Sequence, residues 1–258
     1  MAKFKKVASL DKGAQGSVWK AEAVGTGEMV ALKYLIFEPG SSRIDRANRR
    51  MRFVREVDSQ RRLDHPGIMP VLACATNSSP PWYAMPLANG SLQQILDGPK
   101  KPLSWAITVM NEVMDALEHA HNRGVIHRDL KPNNILSVEG KWVISDFGYC
   151  RRIDSKSAII TEKNHLVGSM AYAAPEQYDD PHAASEAADI FALVKILIHL
   201  LVWRIPFPYF HIEKTPGDWH GLLNRGLADD PARRPQSVAS FRSEVNSLFA
   251  NKFGKENS

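Results

Sequence analysis

Short apolar runs separated by turns fill the first third of the chain: "FKKVASL", "SVWKAEAV", "EMVALKYLI", "MPVLACAT" and "WYAMPL". They are rich in β-branched and aromatic residues, and breaks such as "GTGE" part them, a pattern that predicts an antiparallel sheet. One stretch departs from it, roughly residues 46–64, where the spacing predicts a helix. After about Gly90 the period changes. "SLQQIL", "LSWAITVMNEVMDALEHAHNRG" and "AADIFALVKILIHLLVWR" have helical spacing and helical length. The prediction is an α+β chain in two lobes. Residues 1–85 make a small antiparallel β-sheet lobe with one helix, and residues 86–250 make a larger, mainly α-helical lobe, entered through a connector at Pro86–Asn89. The polar end "NKFGKENS", residues 251–258, is expected to be a disordered tail.

Composition narrows this picture. At 258 residues, 44% hydrophobic and 24% charged, the chain reads as an ordinary soluble globular protein. Its most apolar run, "DIFALVKILIHLLVW", is too short for a membrane span and is interrupted by Lys195 and His199, so it is expected to be a core helix. No apolar stretch follows the basic start, so no secretory leader is expected. Cys74 and Cys150 lie far apart and form no C-x-x-C pair, which suits a reducing, cytoplasmic setting. The net charge of +5 is concentrated rather than general: Arg43–Leu63 alone holds eight arginines. Without interleaved aromatics or finger spacing, nucleic acid is not the expected partner; a solvated helix face or a dock for a phosphate is.

The candidate chemistry comes in three separated pieces. Gly13 and Gly16 sit in a turn between strands with Val18 just beyond, and glycine lets backbone N–H groups approach a polyphosphate. Lys33 ends the apolar strand Val30–Ala31–Leu32, and Glu56 on the predicted helix is a carboxylate able to orient it. In "VISDFGYC", Asp146 ends a strand and Gly148 frees the turn; an aspartate there suits Mg²⁺, a hard cation that takes carboxylates and substrate phosphates. The stretch "VIHRDLKPNNILS" then supplies the rest. Asp129 is placed to accept a hydroxyl proton and Lys131 to neutralise a phosphoryl group in transfer. Asn134 offers a neutral oxygen to a second Mg²⁺. Phosphoryl transfer needs mainly positioning and charge stabilisation, so the set is sufficient in kind.

These residues resemble the protein kinase family from Leu10 to about Phe241. "HRDLKPNN" is similar to its catalytic loop, "DFG" to its metal-binding motif, and Ala174-Pro175-Glu176 to the "APE" that closes the activation segment. Asp189 matches the residue that braces the catalytic loop, and Arg234 the partner of the "APE" glutamate. The resemblance implies a bilobal protein kinase-like fold with ATP between the lobes. Leu10, Val18, Ala31 and Leu136 would sandwich adenine, Met85 would be the gatekeeper, and the Pro86 carbonyl and Ala88 N–H would meet the base. "HRDLKP" with Lys131 and "GSMAYAAPE" with Ser169 resemble the serine/threonine class, so the implied partner is a protein bearing a Ser or Thr acceptor. Arg128 before Asp129 implies control by activation-loop phosphorylation, with Thr161 favoured over Ser157 and Ser155. Arginine-rich helix faces in this family can also serve a homodimer.

Three departures qualify the resemblance. Asp11 stands where the first loop glycine is usual, which implies weaker ATP binding. Gln60 replaces an apolar residue one turn after Glu56, and an unpaired buried amide there is expected to hold the helix partly displaced. The span 206–231 is short, which puts substrate docking on that surface in doubt. An ATP-binding pseudokinase or scaffold and, less favoured, a small-molecule kinase are the rival readings; the first lacks its signature because Lys33, Asp129, Asn134 and Asp146 are all present. His119 and His121 could suggest metal ligands together with His127, but His121 and His127 are read as packing residues, and Cys150 as structural.

Overall fold

A computed structural model describes residues 3–13, 16–37, 39–147, 151–152, 171–179 and 185–256. Five strands make the first lobe: β1 (Phe4–Gly13), β2 (Gly16–Ala23), β3 (Met29–Tyr34), β4 (Ala73–Ala75) and β5 (Trp82–Pro86), with helix α1 (Arg43–Arg62) between β3 and β4. The sheet order is β1-β2-β3-β5-β4, antiparallel at every pairing. Only Ala73–Ala75 of the predicted "MPVLACAT" run becomes strand. Pro86 closes the sheet opposite Val30, so the last strand takes one residue that the sequence division gave to the second lobe. Proline is tolerated there because a strand end demands no further ladder donor.

Helix α1 starts at a capping box, Ser42 with Asp45, which satisfies orphan N–H groups of the first turn. It buries Phe53 and Val57 along one line and Glu56 and Gln60 along the next. Phe53 and Val57 join Ala31, Met69, Tyr83 and Met85 in the apolar core of this lobe. That core reaches across the connector to Val143, with Val18 and Leu136 packed against it.

The second lobe begins with β6 (Gly90–Ser91), α2 (Leu92–Leu96) and α3 (Leu103–His121), followed by β7 (Val125–Ile126), β8 (Ile135–Val138), β9 (Lys141–Ile144) and β10 (Arg151–Arg152). Small sheets β6-β8-β9 and β7-β10 flank the "HRDLKPNN" loop, so both its ends are tied to strands. Beyond lie α4 (Glu176–Asp179), α5 (Glu186–Val202), α6 (His220–Gly226) and α7 (Val238–Glu256). Residues 187–201 of α5 are buried on all sides, the core helix that its unbroken apolar run predicts. Among the described residues no helix is long and apolar enough to cross a membrane. Helix α7 packs Phe241, Val245 and Phe249 into the same core and runs on to Glu256. Helix therefore replaces the expected disordered tail over residues 251–256, carried on by hydrogen bonding from a well-anchored helix.

Candidate active site

The catalytic loop is held from below by one carboxylate. Asp189, near the start of α5 and 1% exposed, accepts the His127 N–H at 2.8 Å, the Arg128 N–H at 2.7 Å, and His121 Nε2 at 2.8 Å. Burial alone would raise its pKa, yet these donors hold it below the ordinary value. The grip matters because Arg128 sits in the left-handed region at φ 69°, a conformation worth about 1 kcal/mol or more of strain. Gln177 in α4 adds a fourth tie by donating to the Arg128 carbonyl at 2.8 Å. His121 is thus a brace as well as a packing residue.

His127 links this loop to the metal motif. Its Nδ1 accepts the Asp129 N–H at 3.2 Å and its Nε2 meets the Ser145 carbonyl at 3.0 Å, an arrangement that requires the neutral tautomer with hydrogen on Nε2. The ring packs on Phe147 with centroids 4.8 Å apart. Asp129 and Asp146 are therefore positioned by one buried imidazole.

At the loop's upper face, Lys131 Nζ donates to Asp129 Oδ2 at 2.8 Å. Asn134 Nδ2 donates to the Asp129 carbonyl at 2.8 Å, with a longer approach of 3.3 Å to Oδ2. With its nitrogen so engaged, the Asn134 amide turns its oxygen elsewhere, as a ligand must. Across the cleft, Lys33 Nζ meets Glu56 Oε1 at 2.6 Å and Asp146 Oδ1 at 3.3 Å. Tyr83 also donates to Glu56 Oε1, at 2.7 Å. Burial alone would lower the Lys33 pKa, but the Asp146 and Glu56 charges raise it well above the ordinary value. Burial opposes ionisation of Asp146 as well; Lys33 and Lys131 nevertheless hold it below the usual carboxylate range. Asp146 is another left-handed residue, at φ 63°.

The residues present fit a magnesium-bound nucleotide. Asp146 and Asn134 offer hard oxygens, few enough that substrate phosphates and water would complete a Mg²⁺ shell. No cluster of three or more His, Cys, Asp or Glu side chains fit for a metal occurs among the described residues, so a cage built from protein alone is not what this site provides. Gly16 has φ 149°, and a Cβ there would lie 2.3 Å from the Tyr34 carbonyl oxygen, so only glycine passes at that turn. Gly13 faces it across the hairpin. Val18, Ala31, Met85 and Leu136 are gathered in one apolar cluster as a base would need, with Ala31 opposite Met85 in register. Leu10 is not: it is 50% exposed on the bulged outer strand and stands apart from that cluster. Pro86 and Ala88 are half-buried where the sheet ends.

Gln60 corrects an expectation. Its amide is 1% exposed but not unpaired, since Nε2 donates to the Met69 carbonyl at 2.6 Å. Only Oε1 is left without a partner. Helix α1 accordingly rests fully inward, with Glu56 already on Lys33, rather than displaced. Asp11 is exposed and caps the next N–H, that of Lys12, at 2.8 Å. Thr161, Ser157, Ser155, Ser169, Gly148 and Cys150 lie outside the described residues. Tyr83 is the site residue that sequence reasoning missed. Strand alternation places it on the same face as Met85, opposite Lys33 in register, and that was the available signal.

At the lobe's far side, Arg234 holds Glu176 with two parallel bonds of 2.7 and 2.8 Å and also donates to the Ala228 and Ala187 carbonyls. The protein kinase domain family matches residues 4–245. The chain belongs to the protein kinase family. Several of the proteins it is similar to are named serine/threonine-protein kinases. It is 34% identical to the serine/threonine-protein kinase PrkC of Bacillus subtilis, over 92% of this chain and 39% of that protein. It is 33% identical to the serine/threonine-protein kinase PknJ of Mycobacterium tuberculosis, over 90% of this chain and 43% of that one. A probable serine/threonine-protein kinase PknB of Lactococcus lactis is 31% identical over 80% of this chain and 32% of its own length. The chain thus spans less than half the length of these relatives.

Proposed function

We propose that this kinase chain transfers the γ-phosphoryl group of ATP to serine or threonine hydroxyls of proteins, its own activation loop among them. One observation carries the reading: Lys33, Asp129, Asn134 and Asp146 form two contacting groups joined through His127, at the mouth of an apolar cleft. Magnesium, when bound, would supply charge neutralisation on the phosphates, with Asp146 and Asn134 as its protein ligands. Lys33, held by Glu56, whose carboxylate Tyr83 fixes in turn, orients and neutralises the phosphate tail. Asp129 takes the acceptor's hydroxyl proton at Oδ2, and Lys131 beside it screens the charge that develops. Met85, Ala31, Val18 and Leu136 form the apolar walls for the base, with Leu10 closing over it from the outer strand. The Pro86 carbonyl and the Ala88 N–H meet its edge.

The intact quartet argues against a scaffold without activity. Arg128, beside Asp129, is our candidate partner for phosphate on Thr161, with Ser157 and Ser155 as lesser sites. Exposed Ile44 and Met51 on α1 support a homodimer in which one copy phosphorylates the other. We place the chain in the cytoplasm, where the unpaired Cys74 stays reduced. The test is radiolabel transfer from ATP by the wild type and Asp129→Asn, with the chain itself and a generic basic protein as acceptors. Label on serine or threonine, lost in the variant, is the expected result. Label persisting in Asp129→Asn, or ATP binding without transfer by the wild type, would overturn the reading.

A further inference from the structure

Helix α5 carries a buried charge with no anionic partner among the described residues. Lys195, halfway along it, is 3% exposed, and burial lowers its pKa to about 8, with no carboxylate among the described residues acting on it. Its neighbours are rings: Nζ lies 4.3 Å from the centroid of Phe210 and 5.7 Å from that of Phe191. Arg234 lies over the same Phe191, 4.9 Å from its centroid, yet has both oxygens of Glu176. Of these two cations around one ring, only Arg234 has a carboxylate partner among the described residues. Cation–π contact recovers only part of what a buried ammonium loses on leaving water.

The cover over Lys195 is unusual too. Phe210 ends a stretch whose large apolar side chains face solvent: Ile205 is 44% exposed, Phe207 43%, Tyr209 73% and Phe210 36%. A single exposed apolar residue needs no explanation, whereas four within one short stretch mark a contact surface. Arg204 and Lys214 flank it, and Glu213 lies 3.6 Å from His211 Nδ1. Aromatic anchors, excess positive charge and a buried ammonium without an anion among the described residues ask for one kind of occupant.

We propose that Ile205–Phe210 and Lys195 form a docking surface for a segment of another protein that presents a carboxylate beside apolar side chains. The apolar side chains pack on Tyr209 and Phe207. The carboxylate reaches the ammonium past the edge of Phe210, in surroundings where an ion pair is stronger than in water. None of these residues belongs to the phosphoryl-transfer set, so the proposal stands or falls independently of that reaction.

The test uses two fluorescein-labelled synthetic peptides, alike except that one has glutamate and the other glutamine between two leucines, with binding read by anisotropy without nucleotide. The expected result is tighter binding of the glutamate peptide to the wild type by about tenfold. Lys195→Met should erase that preference, and Tyr209→Ala, at a site too exposed to threaten folding, should weaken the glutamate peptide. Equal binding of both peptides, or a glutamate preference that survives Lys195→Met, would overturn the proposal. So would concentration-dependent self-association that Tyr209→Ala abolishes, since it would assign this face to a second copy of the chain.

Discussion

Helices α1 and α5 each deliver one structural carboxylate to the site, and they do so by opposite means. Helix α5 is buried along nearly its whole length, and Asp189 grips two successive main-chain N–H groups and an imidazole. Helix α1 is largely polar, anchored mainly by Phe53 and Val57, and Glu56 is held by one lysine and one phenol. The first is a foundation that cannot move without unfolding the lobe. The second is a part whose placement depends on a few polar contacts. Control over a kinase is cheaper to exert on a helix of the second kind, because less buried apolar area must be disturbed.

The largest effect should come from the foundation. Asp189→Ala leaves two N–H groups and His121 without their acceptor, and we expect a stability loss of about 3–5 kcal/mol in denaturant unfolding. A loss under about 1 kcal/mol would show that α5 is not the fixed partner in this comparison. Next comes Lys33→Met, which should cut kcat for phosphoryl transfer by about 10²–10³-fold while the lobes stay folded. Hydrogen exchange should then rise in α1 and not in α5; equal change in both would erase the distinction.

The third prediction concerns the weak point within the strong helix. Lys195 has its pKa lowered from 10.5 to about 8. As pH falls, the unfolded chain takes up this proton before the folded one does. The group therefore destabilises the fold fully below about pH 8, and the penalty is relieved as pH rises toward 10.5. Lys195→Met should stabilise the protein at pH 7 by up to ~3 kcal/mol, with the gain over wild type shrinking above pH 8 in thermal or denaturant unfolding. The smallest effect belongs to Gln60→Met, which removes one hydrogen bond but also one orphaned oxygen. A stability change within about 1 kcal/mol and little change in the ATP KM are expected. A large rise in that KM would show that the amide latch, and not apolar packing, seats α1.

Much of this architecture was legible in the sequence because its signals are local. Alternation marked β2, β3 and β5, the 3.6-residue period marked α3 and α5, and the motif residues around Asp129 and Asp146 fell where the folded chain brings them together. What escaped depends on partners distant in the chain. Gln60 looked unpaired because its acceptor is a main-chain carbonyl at Met69, and carbonyls leave no mark in a sequence. Tyr83 was hidden for a related reason: its hydroxyl finds Glu56 only once strand and helix are packed.

Asp189 grips the main chain at His127 and Arg128 rather than their side chains. The guanidinium at 128 can therefore be exchanged without releasing the backbone that presents Asp129. On the proposed role of Arg128 as partner of an activation-loop phosphate, one substitution there is expected to abolish the response to that phosphate while turnover is kept.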